Sequence, residues 1–321
     1  LKRERMRIAV TGGSGFVGGH LLRAAAAAGT RVVAVVRSPA AARRVREAGA
    51  EAVVAPLRKQ KLMGAIMGAD ALIHLAHIGS ERHGQTYAAV NVEGTREAAA
   101  AAVAAGVPRV VMFSGLGVAR YGMAPRVTDP YFHSKLEAER ALFASGAEAV
   151  ALRPSYILGA GDGFVPFLLE RASTGVVELP GDGSYRMQPV AVEDAAAALL
   201  AAADPAADLF FPDRPRHRVI DLVGPEPLAV ADFVTLMAAL ARELGTPLRF
   251  ELRSVPVAEA DAAARGGGWQ GMPADELDCL LCDEVADPAP LRALLGRPLK
   301  TVEDALRSAV RAALAAPPVP Q

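Results

Sequence analysis

Aromatic residues make up only 5% of this chain, there are just two cysteines, and neither sign of charge is in excess. Each scarcity excludes something. Two cysteines cannot form a disulfide framework, so a buried core must hold the fold, and a hydrophobic fraction of 52% over 321 residues is enough for one. Thirty-five basic residues against thirty-five acidic ones leave no net charge, which argues against a general affinity for nucleic acid or an anionic membrane. No apolar run reaches spanning length, so no membrane insertion is expected. The opening Leu1-Lys-Arg-Glu-Arg-Met-Arg7 is too short and polar for a signal peptide, and a cytoplasmic location is expected. Cys279 and Cys282 form a single C-x-x-C with no second pair nearby. No metal site is therefore expected, and the two read as small apolar residues sharing a helix face.

What the chain does have is alternation. Apolar strands are predicted at Arg7 to Thr11, Arg31 to Val36, Glu51 to Ala55, Ala71 to Ala76, Arg109 to Ser114 and Ala147 to Leu152, with helical segments between them. Among those helices are Phe16 to Ala28, Tyr87 to Ala105 and Tyr131 to Ser145. Strand and helix in strict succession imply an α/β fold, a doubly wound parallel Rossmann sheet of order 3-2-1-4-5-6. After Arg153-Pro154 the pattern loosens, and a smaller C-terminal substrate lobe is expected, with a strand at Leu248 to Leu252. The division predicted is a nucleotide-binding domain over 6–155, rejoined by 186–225, and a lobe over 156–185 and 226–316. Residues 1–5 and the proline-rich 317–321 are expected to be disordered.

Val10-Thr-Gly-Gly-Ser-Gly-Phe-Val-Gly18 lies between the first strand and the first helix, the context in which a glycine motif binds a dinucleotide. Gly12 permits the tight turn, Gly15 lets the backbone approach a pyrophosphate, and Gly18 lets helix and strand pack closely. The positive end of the helix then faces the phosphates. Strand two ends in Val35-Val36-Arg37-Ser38, with no acid between Gly29 and Arg46 to accept a ribose 2′-hydroxyl. A guanidinium there suits a 2′-phosphate, so NADP(H) is preferred, with NAD(H) as the alternative. His74 and His77 stand three apart, a spacing that puts them on opposite faces of a strand.

Tyr131-x-x-x-Lys135 opens the helix after strand five. Residues four apart share a helix face, so phenol and ammonium point into one space, where the ammonium favours phenolate and makes the tyrosine usable as an acid or base.

On these motifs the chain resembles the extended or atypical short-chain dehydrogenase/reductases, the NAD-dependent epimerase/dehydratase family, over roughly its first 200 residues. Thr11 to Gly18 is similar to the family's T-G-x-x-G-F-x-G, and Asp70-Ala-Leu-Ile-His-Leu-Ala76 to its fourth strand. Asn91-Val-Glu-Gly-Thr95 resembles its N-x-x-G-T helix, Leu152-Arg-Pro-Ser155 its motif after strand six, and Gln188 to Asp194 its V-x-V-x-D segment. The resemblance implies cofactor contacts from Gly12, Ser14, Gly15, Phe16, Val17 and Gly18, from Arg37, and from Leu75, Ala76 and Asn91. It also implies contacts from Ser114, Tyr131, Lys135, Pro154 and Ser155. Tyr131 and Lys135 match the acid/base pair, and Ser114 either substitutes as the hydrogen-bond donor to substrate or only ends the strand.

Three positions depart from the family pattern. Leu116 stands where a substrate-binding serine often lies, Ala55-Pro56-Leu57 lacks the adenine-binding acid, and Ala191 replaces a common histidine. The Ser-Gly-Leu-Gly after strand five and the Pro-Tyr-x-x-Ser-Lys context look most like the atypical group containing the nucleotide-binding accessory subunit of respiratory complex I. Two functions follow as expectations. The first is hydride transfer between NADP(H) and a carbonyl or hydroxyl substrate, or epimerisation. The second is a non-catalytic NADPH-bound structural or assembly subunit. A small-molecule substrate is expected, and a homodimer or association with a larger complex is compatible with either.

Overall fold

The computed structural model describes residues 6–82, 84–123, 130–210, 212–213, 216–270, 272 and 274–316. The two termini expected to be disordered lie outside the described residues. Strand β1 (Arg7–Thr11) leads through the glycine turn into α1 (Phe16–Ala27), and β2 (Arg31–Val36) into α2 (Pro39–Glu47). Then come β3 (Glu51–Val54), α3 (Lys59–Ile66) and β4 (Ala71–His74). A wide π-turn over Ala88–Glu93 runs into α4 (Gly94–Ala104), followed by β5 (Arg109–Phe113) and a 3₁₀ turn at Leu116–Arg120. Helix α5 (Pro130–Phe143) and β6 (Glu148–Pro154) complete the first half.

The second half has shorter strands. It contains β7 (Ile157–Leu158), α6 (Phe164–Ser173), β8 (Val176–Pro180), β9 (Arg186–Met187), β10 (Val190–Ala191) and α7 (Val192–Ala203). After these come β11 (His217–Leu222), β12 (Leu228–Ala229), α8 (Val230–Glu243), β13 (Glu251–Val255) and α9 (Val257–Arg265). Helices α10 (Ala274–Leu280), α11 (Ala289–Leu295) and α12 (Val302–Ala315) close the chain.

Among the described residues one parallel sheet has the order β11-β6-β5-β4-β1-β2-β3. The first six strands follow the predicted order, and β11 adds itself outside β6 in parallel register, Val219 opposite Ala151. The central strands are apolar throughout because helices cover both faces: Ile8, Ala9, Val10, Leu72 and Ile73 are all fully buried. Small residues let the helices lie close. Ala98, Ala99, Ala101 and Ala102 pack α4 onto one face, while Ala195, Ala196, Ala198 and Leu199 bring α7 onto the other. A separate apolar cluster, centred on Phe233, Val234, Met237, Leu168 and Leu306, holds the C-terminal lobe. Strand β13 lies three residues later than the sequence suggests because its partner decides its register: Glu251 pairs with Val176 and Val255 with Pro180. The sheet reverses its strand order between β1 and β4, so their carboxyl ends flank the crevice over which the lobe sits.

Candidate active site

The glycine turn is built for close approach. Gly12 has φ +74°, and a Cβ there would stand 2.5 Å from the carbonyl carbon of Leu75 at the end of β4. A Cβ on Gly18 would stand 2.4 Å from the carbonyl oxygen of Gly12. Gly15 differs: it caps α1 in extended conformation, no side chain caps the helix, and space opens beyond it. The N-terminal amides of α1 are therefore left to the cavity, an arrangement that accepts an anion. These residues fit the pyrophosphate of a dinucleotide.

That cavity has a volume of about 960 Å³. Gly12, Gly15, Phe16, Val17, Gly18, Leu75, Ser114, Tyr131, Lys135, Pro154 and Ser155 all line it, so the sheet brings together sites read from five separate stretches of sequence. Four expected residues stand apart from its wall. Ser14 and Ala76 are half-buried, and Arg37 is exposed beyond the end of β2. The Ser38 hydroxyl beside Arg37 caps α2 by accepting from the Ala41 amide at 3.2 Å. Asn91 is fully buried behind the wall and acts as a brace. Its Oδ1 accepts from the Ile78 amide at 2.8 Å, and its Nδ2 donates to the Ile78 carbonyl at 3.1 Å and to Ser134 Oγ at 2.9 Å. Ser134 in turn donates to the Tyr131 carbonyl at 2.7 Å, tying the π-turn to the first turn of α5.

Helix α5 is also clamped from the other side. Glu139 receives two bonds from Arg153 of β6, Nε at 2.8 Å and Nη2 at 2.7 Å, in a nearly buried pair. Such a bidentate pair fixes geometry as well as charge. Between these anchors, Lys135 is 4% exposed, its Nζ donating to the Phe113 carbonyl at 3.3 Å and lying 5.6 Å from the centre of the Tyr131 ring. Burial pushes the ammonium down to about 7, with Glu139 acting against the shift. The Tyr131 ring stacks edgewise on Tyr87 at 5.9 Å.

Ser114 sits at the end of β5, buried, and its Oγ has no partner. Leu116 is not among the lining residues: it is buried at the start of the 3₁₀ turn, and its neighbour Gly115 lines the wall. Nearby Gly117 exists for the Phe132 ring, which a Cβ there would meet at 2.3 Å.

Two sequence expectations are corrected. His74 and His77 do not diverge, because β4 ends at His74 and the chain turns, bringing the rings to 5.0 Å edge-to-face. Thr11 Oγ1 bonds His74 Nδ1 at 2.7 Å. Burial first, and then the Lys135 charge, push His74 down to about 3 and hold His77 well below the usual imidazole range, so both rings are neutral. The cysteines do not share a helix face either. Cys279 lies on α10 while Cys282 lies past its end, the Cys282 amide donating to the Cys279 carbonyl at 3.3 Å. Both pack against Phe132 and Val118, and Cys279 lines the cavity. Trp269 is a packing residue of the lobe core, and Met272 reaches the cavity instead. His133 is exposed beside Glu137 at 4.0 Å.

The lobe contributes a group that no sequence motif marked. Glu284 is 7% exposed and lines the cavity. Its backbone adds to β9, the amide donating to the Arg186 carbonyl at 2.8 Å, and Arg120 from the 3₁₀ turn donates to the flanking carbonyls of Asp283 and Val285. The side chain receives Ser155 Oγ at 3.1 Å. Burial pushes the carboxyl up to about 7, the Ser155 bond and the Arg120 charge opposing. Burial, then the charge of Glu284, also holds the neighbouring Tyr156 phenol well above its ordinary range. A lone glutamate after a C-x-x-C carries no spacing signal.

Residues 8–209 match the family model described as NAD dependent epimerase/dehydratase family. A 4-hydroxy-2-methyl-3-oxo-4-farnesyl-3,4-dihydroquinoline-1-oxide ketoreductase of Stigmatella aurantiaca is 30% identical over 82% of this chain and 80% of its own length. Subunit 9 of the NADH dehydrogenase [ubiquinone] 1 alpha subcomplex, from Arabidopsis thaliana mitochondria, is 27% identical over 80% of this chain and 62% of its own. The chain spans less than two thirds of the length of two other bacterial reductases it matches. Among solved structures, MoeE5 in complex with UDP-glucose and NAD superposes with a TM-score of 0.71 at 25% identity, covering 95% of this chain and 98% of that one. The parallel sheet with its flanking helices agrees with these matches, and the chain belongs to the NAD dependent epimerase/dehydratase family.

Proposed function

We propose that the protein is an NADP(H)-dependent reductase that interconverts a ketone and a secondary alcohol, with Tyr131 as the acid/base. The observation that carries this reading is the convergence of Tyr131, Lys135 and the unpartnered Ser114 hydroxyl on one cavity that also receives the N-terminus of α1. A nicotinamide nucleotide held there supplies hydride to the carbonyl carbon or accepts it from the alcohol. Tyr131 gives its phenolic proton to the substrate oxygen as the carbon is reduced, and takes it back in the reverse direction. Lys135 stabilises the phenolate left behind, and Ser114 Oγ donates to the same oxygen. The Asn91–Ser134 and Glu139–Arg153 anchors hold α5 so that the phenol stays aimed. The absence of an acid after β2, with Arg37 in its place, favours NADP(H) over NAD(H). The name of the Stigmatella relative, a ketoreductase, favours reduction over epimerisation.

Stopped-flow nicotinamide absorbance against a carbonyl panel tests this, comparing the native chain with Tyr131→Phe. The variant is expected to bind NADPH normally and to lose about 10²–10⁴-fold in turnover. Equal rates in the two proteins refute the role of Tyr131. A native chain that binds NADPH and oxidises it with no carbonyl puts the non-catalytic subunit reading first, in keeping with the similarity to the plant mitochondrial subunit.

A further inference from the structure

The lobe side of the cavity has the wrong charges for a diphosphate. Among the described lining residues the cations are Lys135, at the cofactor side, and Arg82, whose Nη2 stands 3.7 Å from Glu276 at the exposed rim. Facing them are three carboxyl groups, Asp162, Glu276 and Glu284. Among the described lining residues a pyrophosphate brought into this space finds no unengaged cation from the lobe, so its desolvation goes uncompensated.

The apolar surfaces point the other way. Tyr156 stacks on Phe164 at 4.8 Å, and Phe164 on Phe233 of the lobe core at 5.7 Å, so the ring wall is fixed from behind. Phe167 and Met272 extend that wall along the cavity. Among the described lining residues, Glu284 is the one buried carboxyl whose side chain is bonded by a neutral hydroxyl alone; its amide is held by the Arg186 carbonyl, and Arg120 holds the carbonyls on either side of it. An apolar pocket with one placed polar group orients a ligand that is itself apolar apart from one or two polar groups.

We propose that this cavity takes an uncharged carbonyl compound with an extended apolar tail, the tail lying against Tyr156, Phe164, Phe167 and Met272 and a second polar group meeting the carboxyl of Glu284. This rests on the cavity being the nicotinamide-dependent reductase site proposed above. Such a ligand places its reducible oxygen at Tyr131 and its second oxygen, an amide or ester carbonyl, at Glu284. In its protonated form the carboxyl donates to that oxygen, and the aromatic wall covers the chain. Glu284 is thus a substrate-binding and specificity-determining residue, contributed by the lobe across the crevice from the acid/base pair.

The test is calorimetric binding to the full chain saturated with NADP⁺, using neutral 3-oxoacyl amides of increasing acyl length, a 2-alkanone of matched length, and UDP-glucose. Each fully buried methylene contributes about fourfold, so lengthening the chain from four to twelve carbons is expected to tighten binding by at least about 50-fold, the effect of burying about three of the added methylenes. UDP-glucose is expected to bind far more weakly than the long amide. Phe167→Ala should remove much of the length dependence. Glu284→Ala should weaken the long amide by about tenfold and leave the matched 2-alkanone unchanged, since a hydrogen bond to one ligand group is lost. Glu284→Gln, which keeps a donor in the same shape, should retain amide binding within about threefold. Affinity independent of chain length, tighter binding of UDP-glucose, or equal weakening of both ligands by Glu284→Ala overturns the proposal. Nicotinamide oxidation is followed separately. Tight, length-dependent binding without turnover refutes the reductase and leaves the ligand class standing, whereas turnover of UDP-glucose with no binding of the amides refutes the ligand class alone.

Discussion

One wall of the cavity is a single turn of chain, residues 12–18, while the wall opposite draws Tyr156, Phe167, Cys279 and Glu284 from places as far apart as positions 156 and 284. The first works through backbone: glycines that exclude a Cβ and helix amides left uncapped. The second works through side chains whose properties come from burial, such as a carboxyl raised to about 7 and a phenol raised above its ordinary range. A backbone cradle recognises what every nicotinamide dinucleotide shares, and a side-chain wall can change with the substrate. A family can therefore keep the first and vary the second.

The sharpest way to break the two walls apart is Gly15→Val. A Cβ there meets nothing nearer than the Gly12 carbonyl oxygen at 3.4 Å, so the fold is expected to survive while the branched group fills the space of the pyrophosphate. The native chain should gain about 2.7 kcal/mol from NADPH at a hundredfold excess over Kd, seen as a rise in melting temperature, and the variant should gain none. A full shift in a folded variant would place the nucleotide elsewhere.

Next in size is the pH dependence introduced by Glu284. Its carboxyl is about 7 in the folded chain against an ordinary 4.5, so the folded state holds the extra proton between those values. The stability this confers is complete below about 4.5 and is lost as the pH rises through about 7. Glu284→Gln removes the loss, and its stability relative to the native chain should improve by roughly 2 kcal/mol between pH 5 and pH 8 in urea melts. Lys135, lowered to about 7, acts in the opposite sense above that pH, but equally in both proteins. A constant difference across the range would show that water reaches Glu284 freely.

The smallest effect belongs to Arg37, exposed beyond the end of β2 and apart from the cavity wall. Arg37→Asp is expected to shift the NADPH:NADH affinity ratio by about tenfold towards NADH, a typical magnitude for one exposed charge-assisted contact. Unchanged fluorescence titrations with both nucleotides would remove Arg37 from the site.

Strand order, the glycine turn and the Tyr131–Lys135 face were legible in the sequence because each depends on near neighbours: period-two and helical apolar spacing, a turn that only glycine fits, and a four-residue helical offset. The behaviour of the histidines was not, since whether β4 continues past His74 depends on where its pairing with β1 and β5 stops. The same holds for β13, whose register β8 dictates, and for Asn91, which the π-turn points towards Ile78 and Ser134 rather than into the cavity.

By itself, then, the sequence determined the Rossmann sheet and the backbone form of one wall, because local spacing and backbone conformation suffice for both. Only the tertiary structure decided the rest. It left Ser114 with a buried, unpartnered hydroxyl and kept Leu116 out of the cavity wall. It also laid Glu284 against Ser155, 129 positions earlier. The physical reason is desolvation: a carboxyl near 7 or an ammonium near 7 is a property of what surrounds the group, and those surroundings come from segments that meet only in the folded chain.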